Sequence, residues 1–122
     1  SWATAIAGRT YVVSPNPLGL QTIRLSLTAP GAAWVRLGFA DGTSGDHPVG
    51  MDGIPRLSFD IASGHRVALL GKWGNRAFVL DYDEIARIDD YRLSLSAVRG
   101  GLSIRLTERT GLVDMTLTAT PG

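Results

Sequence analysis

The sequence predicts an all-β domain, an antiparallel meander of about nine strands that closes into a barrel or a barrel-like sandwich. Short runs rich in Val, Ile, Leu, Thr and aromatic residues recur along the chain, and 15 glycines and 6 prolines separate them. Apolar and polar residues alternate within these runs, as in strands with one buried face. No long segment has helical periodicity, and only the stretch between Trp2 and Ala7 allows a short N-terminal helix.

The strands in the first half of the chain are predicted from their apolar faces and from proline. Tyr11 lies in a strand that ends before Pro15, because proline lacks the N–H that a ladder requires, and residues 16–19 form a loop. The next two strands share an inward face only if an odd number of residues connects them, such as the turn of residues 30–32. Their inward side chains are Ile23, Leu25 and Leu27, followed by Val35, Leu37 and Phe39.

Two hairpins are predicted in the second half from glycine-containing dipeptides. A loop at Gly74-Asn75 would place Gly71 opposite Phe78. A loop at Gly100-Gly101 would place Ala97 opposite Ile104. The final strand then carries Val113, Met115, Leu117 and Ala119 on its inward face.

Weaker strands are expected between these two halves. Residues 48–51 and 56–59 are candidates, and Asp52-Gly53 separates them. Residues 41–46 are polar and contain glycine, which is typical of a mobile hairpin tip.

Length and charge indicate one domain, residues 1–122, and exclude several partners. A chain of 122 residues with 44% hydrophobic residues can bury a core of its own. The net charge is +1 and the basic residues are spread along the chain without forming a cluster, so nucleic acid is not an expected partner. No apolar run is long enough to span a bilayer, so a membrane is not expected either. Cysteine is absent, which excludes disulfides but leaves the localisation open.

Polar residues with chemically active side chains do not form a convincing motif. Asp81, Asp83, Glu84, Asp89 and Asp90 suggest a cation site or a carboxylate pair, but Ala86 stands where a calcium loop needs glycine. Alternation sends Asp81 and Asp83 outward, so solvated charges, or ion pairs with Arg87 and Arg92, are the better interpretation.

Other candidate groups stand alone. His47 and His65 are the only histidines, and each lies beside loop residues. Ser44 lacks the second glycine of a nucleophile elbow. Phosphate-loop, dinucleotide and zinc-protease motifs are missing. We therefore assign no catalytic, cofactor-binding or metal-binding residue and expect no cofactor.

Three tryptophans allow a different interpretation. Trp2, Trp34 and Trp73 are candidates for the wall of a ligand cavity, because small barrels can enclose one ligand. Scattered aromatic residues are nevertheless more often part of a core or an interface.

Several stretches resemble the C-terminal β-domain of bacterial β-lactamase-related serine hydrolases. They are Gly8-Arg9-Thr10-Tyr11, residues 16–20, residues 78–85, Tyr91-Arg92-Leu93 and residues 102–108. The resemblance spans nearly all of residues 8–120 and implies a lipocalin-like barrel that packs against a catalytic domain of the same chain. It transfers no catalytic residue, because Lys72 is the only lysine and Leu69 stands where the serine of S-x-x-K would be.

Three functions follow as hypotheses. The first is a non-catalytic accessory domain, excised from the C-terminus of a serine hydrolase, that packs against the hydrolase domain and shapes its substrate cleft. The second is a free-standing barrel that binds a small apolar ligand in unfilled interior volume. The third is a structural domain that forms a weak homo-oligomer through an exposed apolar patch when it is isolated.

Overall fold

The computed structural model describes residues 6–27, 33–59, 66–84 and 90–122. Ten antiparallel strands form one sheet that curls into a nearly closed barrel, compared with the nine predicted. The strands are β1 (Thr10–Val13), β2 (Leu20–Leu27), β3 (Ala33–Phe39), β4 (Ser44–Val49), β5 (Arg56–Phe59), β6 (Arg66–Trp73), β7 (Ala77–Glu84), β8 (Asp90–Val98), β9 (Gly101–Glu108) and β10 (Asp114–Pro121). No helix in the described part of the chain is long and apolar enough to cross a membrane.

The order of the strands is nearly the order of the sequence. Consecutive strands pair as antiparallel neighbours, and β1 also pairs with β10. Only β4 and β5 follow one another without forming a ladder. The barrel wall is therefore continuous except at this one place among the described strands.

The core lies inside the barrel and comes from the inward face of every long strand, as alternation predicts. Phe78, Leu80 and Tyr82 are buried on β7, whereas Asp81 and Asp83 face outward. Each fully buried Leu, Ile or Phe contributes about 1.5–3 kcal/mol of transfer free energy. The predicted inward faces of β2, β3 and β10 are confirmed, because Ile23 pairs with Leu37 and Leu117 is buried.

Both predicted hairpins exist, but their registers differ from the prediction by two residues. The first loop is Asn75-Arg76, so Gly71 lies opposite Leu80. The second loop is Arg99-Gly100, and Ala97 lies opposite Leu102. In each loop the second residue takes the positive φ, 60° at Arg76 and 84° at Gly100. A shift of two keeps the same side chains inside, which explains why the faces are right while the partners are wrong.

The first half of the chain shows further differences. Of the stretch between Trp2 and Ala7, where a short helix is predicted, Ile6 is helical and Ala7 instead makes a bridge with Leu25; the other residues of that stretch lie outside the described residues. β4 begins at Ser44, so the predicted tip of residues 41–46 is too long. Asp41 closes the shorter tip by accepting hydrogen bonds from the amide and hydroxyl of Thr43 at 2.9 and 2.6 Å. The turn predicted at residues 30–32 lies outside the described residues, but Leu27 pairs with Ala33, so the register of β2 and β3 differs by two residues from the one that a three-residue turn would give.

The loop after β1, which the sequence predicts at residues 16–19, is held by one side chain. The Asn16 amide nitrogen donates to the carbonyls of Ser14 and Leu20 at 2.9 and 2.7 Å, and its oxygen accepts from the amides of Leu18 and Leu20. These contacts satisfy backbone groups that prolines 15 and 17 prevent from joining a ladder.

Candidate functional site

The unpaired junction between β4 and β5, which we call the seam, contains a buried histidine. His47 is 2% exposed and, apart from the tyrosines Tyr11 and Tyr82, is the one buried side chain with polar atoms among the described residues. Its Nδ1 lies 2.9 Å from the Ser58 hydroxyl of β5, so one side-chain hydrogen bond crosses the seam. The ring also meets Tyr82 edge-to-face, with centroids 6.3 Å apart. The seam thus places imidazole, hydroxyl and phenol groups beside an apolar interior.

Next to His47 the seam is lined by apolar side chains. A methyl group added at Gly71 would come within 2.5 Å of the Phe78 ring and 2.7 Å of Val49, and within 3.1 Å of the Met51 sulfur. These side chains therefore meet over the bare backbone of Gly71. Phe78 also packs edge-to-face against Trp73, with centroids 4.8 Å apart.

One end of the seam is closed by backbone hydrogen bonds. Gly50 donates to the Leu69 carbonyl at 3.0 Å and accepts from the Gly71 amide at 2.8 Å. This parallel bridge connects the end of β4 directly to β6, because β5 is too short to reach this level. The seam is therefore bounded by Gly50 at one end and spanned by His47 and Ser58 further along.

Large apolar side chains on the β5 side of the seam face solvent. Ile54, Leu57 and Phe59 are 63%, 63% and 58% exposed. Leu57 pairs with Ala68 and Phe59 with Arg66 of β6, so these two side chains project from the outer face of the barrel, and Ile54 lies in the loop before β5. An exposed apolar group of this kind is typical of a binding surface.

The interior itself is filled by side chains. Val67, Leu69, Phe78, Ile104 and Leu106 are each 0% exposed. A water-sized space beside them would leave part of their surface accessible. A ligand inside the barrel therefore needs side chains to move.

Two of the acidic residues considered for a cation site form ion pairs. Asp81 accepts from Arg92 at 2.7 Å, as predicted, and Asp90 accepts from Arg109 at 3.0 Å. Burial and the neighbouring carboxylates of Asp90 and Asp81 raise the pKa of Asp83. No group of three or more His, Asp or Glu residues in the described ranges could hold a metal ion. Arg87 and Asp89 lie outside these ranges.

The remaining candidates are dispersed. Ser44 is exposed, and as the first residue of β4 it pairs with Gly38 of β3. Trp34 is 46% exposed on the outer surface, so it does not line the interior, whereas Trp73 packs against the core. His65 and Trp2 are outside the described residues. The contact between His47 and Ser58 was missed by sequence reasoning, because no ladder joins their strands.

Comparison with known proteins establishes the architecture. No protein-family model matches this sequence, and no curated protein matches it. The chain is similar to a crystal structure of a fatty acid-binding protein from brain tissue of Drosophila melanogaster, solved without citrate inside. The TM-score is 0.63 at 10% sequence identity, and the likeness covers 94% of this chain and 98% of that chain. The fold is a lipocalin-like barrel. This confirms the predicted all-β barrel and decides against the sandwich.

Proposed function

We propose that this chain is a non-catalytic β-barrel that binds a small apolar molecule admitted at the seam. The observation that carries the proposal is the break in strand pairing between β4 and β5, where His47 and Ser58 lie beside apolar side chains. Paired strands separate only by breaking ladder hydrogen bonds, and these two strands have no ladder to break. The fold likeness to a protein named for fatty acid binding supports the same ligand class.

The chemistry of the seam favours a ligand with one polar end. Imidazole and hydroxyl groups both donate and accept hydrogen bonds, so His47 and Ser58 suit a carboxyl or hydroxyl group. The hydrocarbon part would lie against Val49, Met51 and Phe78. Methionine is the most adaptable of these side chains and is only partly buried here. Because the interior is filled, the ligand is a slender single chain that takes the space Met51 vacates.

Titration with a fluorescently labelled fatty acid tests this function. We expect saturable binding at one site per chain and displacement by an unlabelled fatty acid. Ser58→Ala should weaken binding about fivefold or more, the effect of one lost hydrogen bond. Ser94→Ala, a change of the same size on β8, should bind as the parent chain does. Binding that never saturates would contradict the proposal.

Crosslinking the seam tests the route of entry. The chain has no cysteine, so Pro48→Cys with Leu57→Cys creates one pair of thiols on the two strands that flank the seam. A short bifunctional thiol reagent should abolish or greatly slow uptake. The matched control is a crosslink between Ser94→Cys and Arg105→Cys, which are partners in the β8–β9 ladder. Equal uptake in both crosslinked proteins would rule out entry at the seam.

A second candidate function is packing against the catalytic domain of a serine hydrolase in the same polypeptide. The observation that favours it is the exposure of Ile54, Leu57 and Phe59 on the β5 side of the seam. The coding sequence upstream of Ser1 tests this candidate directly. An S-x-x-K motif in a preceding domain of a few hundred residues would support it, and a start codon or signal peptide immediately upstream would refute it.

A further inference from the structure

A groove on the outer face of β1–β4 has no role in the seam. Its volume is about 350 Å³, and its lining is mostly polar. The residues that line it are Thr10, Arg24, Ser26, Trp34, Arg36 and Asp46.

The strand register builds this groove from one row of side chains. Thr10 pairs with Arg24, Arg24 with Arg36, and Arg36 with Asp46, so four neighbouring strands contribute one residue each. Two arginines are therefore direct cross-strand partners. Like charges in this arrangement repel each other unless an anion neutralises them.

Asp46 neutralises only one of the two arginines. Arg36 donates from Nε to Oδ1 of Asp46 at 2.5 Å and from Nη2 to Oδ2 at 2.9 Å. This hydrogen-bonded pair raises the pKa of Arg36 and lowers the pKa of Asp46. Arg24 is exposed and has no ion pair or hydrogen bond with any residue in the described ranges. The row therefore retains one positive charge on Arg24.

An aromatic surface and a hydroxyl lie beside this charge. Trp34 is 46% exposed and pairs with Ser26. This pair lies two residues along each strand from the pair of Arg24 and Arg36. An indole face stacks on planar rings, and a guanidinium group binds carboxylates through two parallel hydrogen bonds. The spacing of two residues along β2 places Ser26 and Arg24 on the same face.

We propose that this groove binds a small aromatic carboxylate. The carboxylate pairs with Arg24, the arginine that Asp46 leaves without an ion pair, while the ring stacks on Trp34. Ser26 and Thr10 supply hydroxyl groups at the edge of the groove. This site lies on the outer face and is independent of ligand uptake at the seam.

NMR titration with benzoate tests the proposal, with the side-chain N–H signals of Arg24 and Trp34 as reporters. Both signals should shift and saturate together. Benzamide has the same ring without the charge and should bind at least about tenfold more weakly, because a charge-assisted pair is lost. Cyclohexanecarboxylate keeps the charge but lacks the aromatic face, so it should bind more weakly than benzoate.

Variants separate the site from a general effect of charge. Arg24→Gln should lose at least about tenfold in benzoate affinity, whereas Arg66→Gln, an exposed arginine on β6, should not change it. Trp34→Leu should abolish the preference for benzoate over cyclohexanecarboxylate. Shifts that never saturate, equal binding of benzamide, or equal losses in Arg24→Gln and Arg66→Gln would each overturn the proposal.

Discussion

Asp83 and Asp90 lie directly opposite each other on β7 and β8, and both carboxyl groups are partly buried. Arg109 neutralises Asp90 at 3.0 Å. Asp83 has a carboxylate as its cross-strand neighbour and a second one at Asp81 along its own strand. Two acids in these positions favour a proton on Asp83.

This relationship predicts how stability depends on pH. Burial, then the charges of Asp90 and Asp81, raise the pKa of Asp83 in the folded protein. The folded state therefore binds a proton at Asp83 more readily than the unfolded chain does. The charged carboxylate destabilises the protein above the folded pKa, and this destabilisation disappears as the pH falls through that pKa.

Asp83→Asn should accordingly raise the free energy of unfolding at neutral pH by roughly 0.2–1 kcal/mol, the range for cross-strand pairs. Urea unfolding at several pH values measures this increase in the free energy of unfolding, and the increase should become smaller as the pH falls. Asp81→Asn is the control, because the loss of its ion pair with Arg92 offsets the relieved repulsion with Asp83, so this variant should give no gain. A lower stability of Asp83→Asn at neutral pH would show that Asp83 stabilises the fold.

Ser58→Ala should lower the free energy of unfolding by about 1–2 kcal/mol. It removes the hydroxyl that contacts His47, so the buried imidazole loses its hydrogen bond with Ser58. The comparison is Ser94→Ala on β8, which we expect to change stability by less than about 0.5 kcal/mol. Thermal unfolding of the two variants measures this difference in stability. Equal Tm values would show that the contact across the seam contributes nothing to the stability of the fold.

Gly71→Ala should destabilise the barrel by about 1–3 kcal/mol, because the added methyl group overlaps Phe78 and Val49. Gly74→Ala provides a matched control in the same strand region. Its new methyl group would meet only the Ala77 carbonyl oxygen, at 3.8 Å. Chemical unfolding should therefore show that Gly71→Ala is less stable than Gly74→Ala, although the two substitutions are identical and only three residues apart. A tolerated Gly71→Ala would mean that the Phe78 ring moves easily.

Arg76→Gly should stabilise the protein by roughly 0.5 kcal/mol. Arg76 has a φ of 60°, which costs about 1–2 kcal/mol for a residue with a side chain, and the greater flexibility of unfolded glycine offsets part of the gain. Arg76→Ala keeps a Cβ at the same φ and should have little effect. If both substitutions change the Tm equally, then loss of the arginine side chain is responsible.

Alternation alone predicted which side chains fill the barrel, because it depends only on the period of a strand. It did not predict which residues pair. Gly74-Asn75 and Asn75-Arg76 are both acceptable loops by composition, and the structure uses the second. Glycine would avoid the strain that arginine accepts at φ 60°, so local preference favoured the wrong loop.

The two candidate sites depend on information that alternation lacks. Sequence identified His47 only as a lone histidine, because its partner Ser58 lies across two strands that form no ladder. A three-residue turn at residues 30–32 would place Arg24 opposite Gly38. Leu27 instead pairs with Ala33, which brings Arg24 opposite Arg36 and creates the groove. A register difference of two residues therefore decides whether that site exists.

The pairing of β1 with β10 also has a consequence for folding kinetics. Every other ladder joins consecutive strands and can form as a local hairpin, whereas Val12 and Thr120 meet only after almost the whole chain has been brought together. Closing that loop carries the largest entropic barrier of any pairing in the barrel. In a circular permutant that fuses β10 to β1 and opens the chain between β4 and β5, every ladder would join consecutive strands as a hairpin, and only the seam contacts, such as those of Gly50 and His47, would join the two ends of the chain. Its strands would follow the sheet order without interruption, and it should fold faster than the natural arrangement.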